Sequence, residues 1–205
     1  MDSLIGIRGP DFVLLASDTV AYSNIFRLSL KDDKIMEIDN NKLIGLGGPI
    51  GDRTQFGEYI KCNLNLYRFR NGVKLSTSAA ASFTRNELAD LLRSDPHNVN
   101  VLIGGYTKED GAELYWMDEL ASMASVNNAA HGYGGLLVTG ILDKHYKSNI
   151  TQEEAINILI MCSEELKTRF LVSQYDLYVK IVDSQGIRFI KIENGIPVPI
   201  MKENN

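Results

Sequence analysis

The residues best placed to do chemistry stand at the front of the chain. Asp2 and Ser3 precede a short apolar segment, Leu4-Ile5-Gly6-Ile7. Gly9-Pro10-Asp11 follows, and then an unbroken run from Phe12 to Ala16 that ends in Ser17-Asp18. Glycine permits positive φ and proline holds φ at about −65°, so Gly9-Pro10 reads as a tight turn between two strands. The second strand carries no polar alternation and is expected to be buried on both faces. Termini ordinarily fray. A core that starts this close to the first residue holds the terminus still, which a fold requires when a terminal residue is reactive.

Two glycine-rich stretches are the other candidates. Gly45-Leu46-Gly47-Gly48-Pro49-Ile50-Gly51-Asp52 invites a phosphate-loop reading, but it fits neither G-x-G-x-x-G nor G-x-x-x-x-G-K-[ST]. It reads as a tight turn into a capped helix. Ala130-His131-Gly132-Tyr133-Gly134-Gly135 could form a ligand loop, yet its His131 has no acidic or cysteine partner at motif spacing. It reads as a structural turn. Cys62 and Cys162 lie in helix-like patterns without a C-x-x-C neighbour, and both are expected to be buried thiols in a reducing compartment. No paired carboxylates, zinc spacing or G-x-S-x-G elbow occurs, so no catalytic, metal or cofactor site follows from motifs alone.

The elements that must position these residues are legible from periodicity. Leu4–Ile7, Phe12–Asp18, Ile35–Ile38 and Leu43–Gly48 read as four short strands, with Lys31-Asp32-Asp33-Lys34 as an exposed stretch between the second and third. Asp52, with Gln55 at capping-box spacing, opens a helix whose stripe is Phe56, Tyr59, Ile60, Leu64 and Tyr67, ended by Asn71-Gly72. A second helix runs from about Ser76 to Arg93 with Ala80, Phe83, Thr84, Leu88, Leu91 and Leu92 on its stripe. A hairpin spans Val99–Gly105 and Glu113–Asp118, and Ala121–Val126 is a weaker strand. A helix bearing Leu136, Leu137, Gly140, Ile141 and Tyr146 precedes another opened by the Thr151/Glu154 capping box. Asp176–Val182 and Ile187–Ile192 form a terminal hairpin. Strand groups alternate with helix pairs, which excludes a βαβ ladder. The expected fold is α+β: a four-layer αββα sandwich, two antiparallel sheets between helix pairs. Residues 1–205 read as a single domain, with 195–205 an extended, apolar tail expected to rest on a neighbouring chain.

Composition sets the outer bounds. The 205 residues carry 21 Lys and Arg against 26 Asp and Glu, a net charge of −5, and no basic block that would suit nucleic acid. No apolar run approaches the roughly 20 residues that span a bilayer, and no signal-peptide pattern is visible.

Six phrases together resemble the proteasome β-type subunits, which have the N-terminal-nucleophile hydrolase fold. They are Leu4-Ile5-Gly6-Ile7-Arg8, Val13-Leu14-Leu15-Ala16-Ser17-Asp18, the stretch from Gly48 to Ile60, the stretch from Asn100 to Tyr106, Ala130-His131-Gly132-Tyr133-Gly134 and the stretch from Ile141 to Tyr146. In catalytic members a terminal Thr hydroxyl attacks the peptide carbonyl, with its own α-amino group as base. An Asp, a Lys and a Gly backbone N–H support it. By phrase, the resemblance places that Asp at Asp18, the Lys at Lys34 and the oxyanion Gly at Gly48. The family's glycine-turn Ser falls on Tyr133, its second Asp on Phe170, and the Ser just after on Ser173. The nucleophile position falls on Asp2, behind Met1.

Asp2 has no hydroxyl, and the amine of Ser3 is tied up in an amide. No upstream propeptide is expected. The resemblance therefore implies a hydrolase fold without catalytic, cofactor or metal residues. Asp18 and Lys34 are then expected to form a partly buried ion pair or to be surface charges. What remains is an assembly role. It implies partnership with other proteasome α and β subunits in stacked heptameric rings, with room for assembly chaperones, in cytoplasm and nucleus, without nucleic acid or membrane. Two alternatives stand beside it: an active hydrolase using an exposed Ser3, and a stand-alone binding module using the Ala130–Gly135 loop.

Overall fold

Apolar side chains alternate along the central strands, and the sandwich follows from where the two sets point. The computed structural model describes residues 2–23, 26–169 and 176–200. Strand β1 (Leu4–Arg8) pairs antiparallel with β2 (Phe12–Asp18) in the register Leu4↔Ser17 to Arg8↔Val13. All seven residues of β2 are buried. Val13 and Leu15 face one way, into a cluster with Leu4, Leu43, Leu102 and Leu114. Phe12, Leu14 and Ala16 face the other way, into a cluster with Val138, Leu142, Leu159 and Cys162. One strand feeding two cores explains the unbroken hydrophobic run.

The next segments hold a difference from the sequence pattern. Ala21–Ser23 (β3) and Phe26–Ser29 (β4) form a separate two-stranded antiparallel ribbon with a register shift, where no strand was expected. Its β4 side chains are exposed, so burial left no alternation to read. Strands β5 (Ile35–Asp39) and β6 (Lys42–Gly47) follow as expected, closed by the Asn40-Asn41 turn.

Helix α1 (Ile50–Asn71) starts two residues before Asp52, with Pro49 as its N-cap residue and no side-chain cap. Asp52 instead accepts a hydrogen bond from the backbone N–H of Asn98 at 3.0 Å, tying the helix start to the strand that follows. Gly72 ends the helix at φ 68°, the left-handed conformation glycine adopts without a Cβ penalty. Phe56, Ile60 and Leu64 are buried, whereas Tyr59 and Tyr67 stand at the exposed flank of the stripe. Helix α2 (Thr77–Leu91) is capped by Ser76, whose hydroxyl accepts from Ala79 N–H.

Strands β7 (Asn100–Thr107) and β8 (Gly111–Met117) make the expected hairpin, continued by β9 (Met123–Ser125). Asn128–His131 is a further strand, β10, which pairs with β1. Ala130-His131 is thus strand rather than turn, and helix α3 (Gly132–His145) begins directly after it. Helix α4 (Gln152–Arg169) opens on the reciprocal capping box: Thr151 N–H donates to Glu154 Oε2 at 2.9 Å and Glu154 N–H donates to Thr151 Oγ1 at 3.2 Å. Strands β11 (Leu177–Asp183) and β12 (Gly186–Glu193) form the last hairpin. Within the tail, Ile196–Pro199 is an edge strand, β13, paired with β12 of the same chain. Its Ile196 and Val198 remain exposed.

The strands form a six-stranded sheet in the order β10-β1-β2-β11-β12-β13 and a five-stranded sheet in the order β5-β6-β7-β8-β9, antiparallel throughout. Helices α3 and α4 cover the first sheet, and α1 and α2 cover the second. The result is the αββα sandwich. Among the described residues no helix is long and apolar enough to cross a membrane.

Candidate functional site

At one end of the sandwich the start of β1, the end of β2, the start of β5 and the end of β6 meet. Residues on a strand point alternately to opposite faces. Asp2 therefore turns toward the second sheet, and Ser3 toward the helix layer. The Asp2 carboxylate accepts a hydrogen bond at Oδ2 from Gly48 N–H at 2.8 Å. Its other oxygen lies 3.6 Å from Lys34 Nζ. Asp2 is further held by α3, since the backbone of Gly132, at φ 81°, approaches so closely that an added Cβ would lie 1.8 Å from Asp2 O.

Lys34 is the hub. Its side chain is wholly buried, and its ammonium donates to Asp18 Oδ2 at 2.7 Å, to Val20 O at 2.9 Å and to Asp18 O at 3.2 Å. Asp18 is buried just as completely, and its carboxylate also accepts from Ser3 N–H at 2.8 Å and Val20 N–H at 3.2 Å. Burial pushes the Asp18 carboxyl above its ordinary value, with the Lys34 charge and the hydrogen bonds acting against it. Asp32 lies 3.6 Å from Lys34 and pairs with Arg53 of α1. This corrects the expectation that Asp18 and Lys34 are partly buried or superficial. They are the interior of a cluster of three carboxylates and two cations, and the Lys31–Lys34 run is not a solvated stretch at its last residue. Arg53 and Asp32 were not singled out from sequence. A charged side chain one turn into a helix looks like a solvated face until the partner is seen.

Gly48 is required by its backbone. Its φ is 128°, and a Cβ there would lie 2.2 Å from Asn98 O. The conformation aims the N–H into a cleft of about 340 Å³ lined by Asp2, Gly47, Gly48, Arg53, His131 and Tyr133, among others. A larger hollow of about 660 Å³ lies at the other ends of the strands, walled by the Asn40-Asn41, Lys108–Asp110 and Asp183–Gly186 turns. Converging buried charge and an aimed N–H distinguish the smaller cleft.

Other expected residues fall elsewhere. Ser3 is 1% exposed and lies under α3, where an added Cβ on Gly134 would meet its Oγ at 1.9 Å. It does not reach the cleft. Tyr133 stands exposed at the cleft rim. Phe170 and Ser173 lie outside the described residues. His131 is not a loop ligand. Its ring stacks on Trp116 at 5.0 Å between centroids, and Nε2 bonds to Val101 O at 3.1 Å, which makes that nitrogen the protonated one. Burial lowers its pKa to about 4, with the Val101 carbonyl opposing. The neutral ring pins the two sheets together. Gly132 and Gly134 of this segment pack closely on Asp2 and Ser3. Cys162 is buried and its thiol is pushed up to about 12 by burial, whereas Cys62 is exposed, against expectation. It sits on the outer face of α1, where helical periodicity alone could not separate flank from stripe. Among the described residues no cluster of His, Cys, Asp and Glu could hold a metal.

The arrangement can polarise a group at the Asp2 position, through a buried ammonium, and stabilise negative charge there, through Gly48 N–H. It supplies no hydroxyl at that position. The family described as proteasome subunit matches residues 2–182. A protein of Arabidopsis thaliana named proteasome subunit beta type-2-B is 44% identical over 188 residues, covering 92% of this chain and 94% of the relative. Proteasome subunit beta type-2 of Dictyostelium discoideum is 43% identical over 194 residues, covering 93% and 97%. Proteasome subunit beta type-4 of Saccharomyces cerevisiae is 42% identical over 190 residues, covering 92% and 96%. With the sandwich, the buried Lys34–Asp18 pair and these matches together, this chain belongs to the proteasome subunit family.

Proposed function

We propose that the chain is a non-catalytic β subunit of the 20S proteasome core particle, at the position filled by the type-2 subunit, also called β4. It walls the proteolytic chamber and helps build the β ring, in the degradation of ubiquitin-tagged proteins. The observation that carries the reading is Asp2. The nucleophile position holds a carboxylate bonded to Gly48 N–H and facing Lys34, and a carboxylate has no hydroxyl for that lysine to activate. Ser3 cannot substitute, because it points to the opposite face and is buried under Gly134. Its partners are other α and β subunits in heptameric rings, in cytoplasm and nucleus. Exposed apolar side chains such as Phe26, Leu28, Phe69 and Leu136 support an interface role, as obligate interfaces bury apolar surface.

The test is native size fractionation of cell extract, followed through this chain and through peptide hydrolysis, with a covalent threonine-directed probe added. The chain is expected in a large hydrolysing particle, with the probe on other chains. Elution of this chain alone, or its own labelling by the probe, refutes the proposal.

A further inference from the structure

Strand β13 ends the six-stranded sheet on one side, and among the described residues no strand lies beyond it. Its four residues, Ile196-Pro197-Val198-Pro199, are all exposed, and none is charged. A free strand edge presents a row of unpaired N–H and C=O groups, which templates pairing with another chain. Charged side chains are a common guard on such an edge, and β13 carries none. Ile196 and Val198, 64% and 40% exposed, make the edge apolar as well.

Register decides which way each backbone group points. The hairpin turns at Asn194 and Gly195, with φ 49° and 81°, the two-residue turn that needs positive φ at both positions. It sets Glu193 opposite Ile196, Lys191 opposite Val198 and Ile190 opposite Pro199. Ile200 N–H donates to Phe189 O at 3.1 Å. Backbone groups alternate sides along an antiparallel strand. Ile196, Val198 and Ile200 therefore turn theirs toward β12, and Pro197 and Pro199 turn theirs outward. Both outward positions are proline, which has no N–H. The outer edge offers two carbonyls and no donor between them. A further strand cannot build a ladder there, because each outward residue would have to donate as well as accept.

We infer that Pro197 and Pro199 close this sheet to strand addition, above all by the same edge of a second copy of this chain. The inference does not rest on the assembly role, and the threonine-probe result does not decide it. It also states how β13 meets other proteins: whatever contacts Ile196 and Val198 does so through side chains, not through a shared ladder.

The test compares the purified full chain in wild-type form and as Pro197→Ala/Pro199→Ala. Size-exclusion chromatography with light scattering is run over a concentration series, beside residue-resolved amide hydrogen exchange. In wild type, Val198 N–H is expected to be protected at every concentration, since it faces β12. In the double variant the new amides at positions 197 and 199 should exchange freely when dilute. At high concentration they should slow at least roughly tenfold, as dimers or larger species absent from wild type form. Association through any other surface leaves these two amides unprotected, so their exchange identifies the edge. Should the double variant fail to fold, Pro199→Ala, with one N–H restored, is read in the same way at position 199. Three results overturn the inference: a freely exchanging Val198 in wild type, restored amides already protected in the dilute monomer, or restored amides still unprotected at high concentration.

Discussion

Replacing Lys34 by Met should be among the most damaging single substitutions in this chain, and the structure says why. The ammonium is fully buried, as is the Asp18 carboxylate that it touches at 2.7 Å. Removing it leaves Asp18 with two backbone N–H donors and no counter-charge, and leaves the carbonyls of Asp18 and Val20 without their lysine donor. Breaking one side of a buried pair costs about 3–5 kcal/mol, mostly the penalty of a stranded charge. The reverse substitution, Asp18→Asn, should cost less, about 1–3 kcal/mol. Lys34 then still has the carboxylates of Asp2 and Asp32, each at 3.6 Å. The double variant Lys34→Met/Asp18→Asn should recover part of the Lys34→Met loss, because no unpaired carboxylate remains at position 18. Denaturant unfolding of the three variants and wild type closes the cycle. A Lys34→Met loss below about 1 kcal/mol, or a double variant equal to the sum of the singles, would refute the reasoning.

Other perturbations follow from the same geometry. Gly48→Ala forces a Cβ to within 2.2 Å of Asn98 O at φ 128°, and should destabilise by about 1–3 kcal/mol in thermal or denaturant unfolding. His131 has a folded-state pKa of about 4, below its ordinary 6.5, so the unfolded state takes up the proton first. Its contribution is fully present above pH 6.5 and is lost as pH falls toward 4, by about 3 kcal/mol in all. A stability–pH profile of wild type against His131→Phe, which keeps an aromatic ring on Trp116, should show that slope only in wild type. On the native isolated chain, an alkylating reagent should modify Cys62 and spare Cys162, whose thiol is buried and raised to about 12, while both react after denaturation. Intact-mass measurement reads the difference.

Much of this protein is written locally. The unbroken run Phe12–Ala16, the Gly72 helix stop, the Thr151/Glu154 capping box and the β11–β12 hairpin are set by residues within a few positions of one another. Propensity, periodicity and turn chemistry act at that range, and the four layers follow from the order of the elements. The exposed ribbon β3–β4 and strand β10 were not legible. The ribbon has no buried face to impose alternation, and β10 owes its strand state to β1, which lies more than a hundred residues away in sequence. The resemblance placed Asp18, Lys34 and Gly48 together, and Asp2 at the nucleophile position. Only tertiary structure decided that the Lys34–Asp18 pair is wholly buried, that Arg53 and Asp32 extend it into a larger charge cluster, and that the Asp2 carboxylate bonds to Gly48 N–H and faces Lys34. The reason is range. Burial and the meeting of charges depend on how two sheets, each assembled from distant segments, are laid face to face, and no neighbouring residue records that.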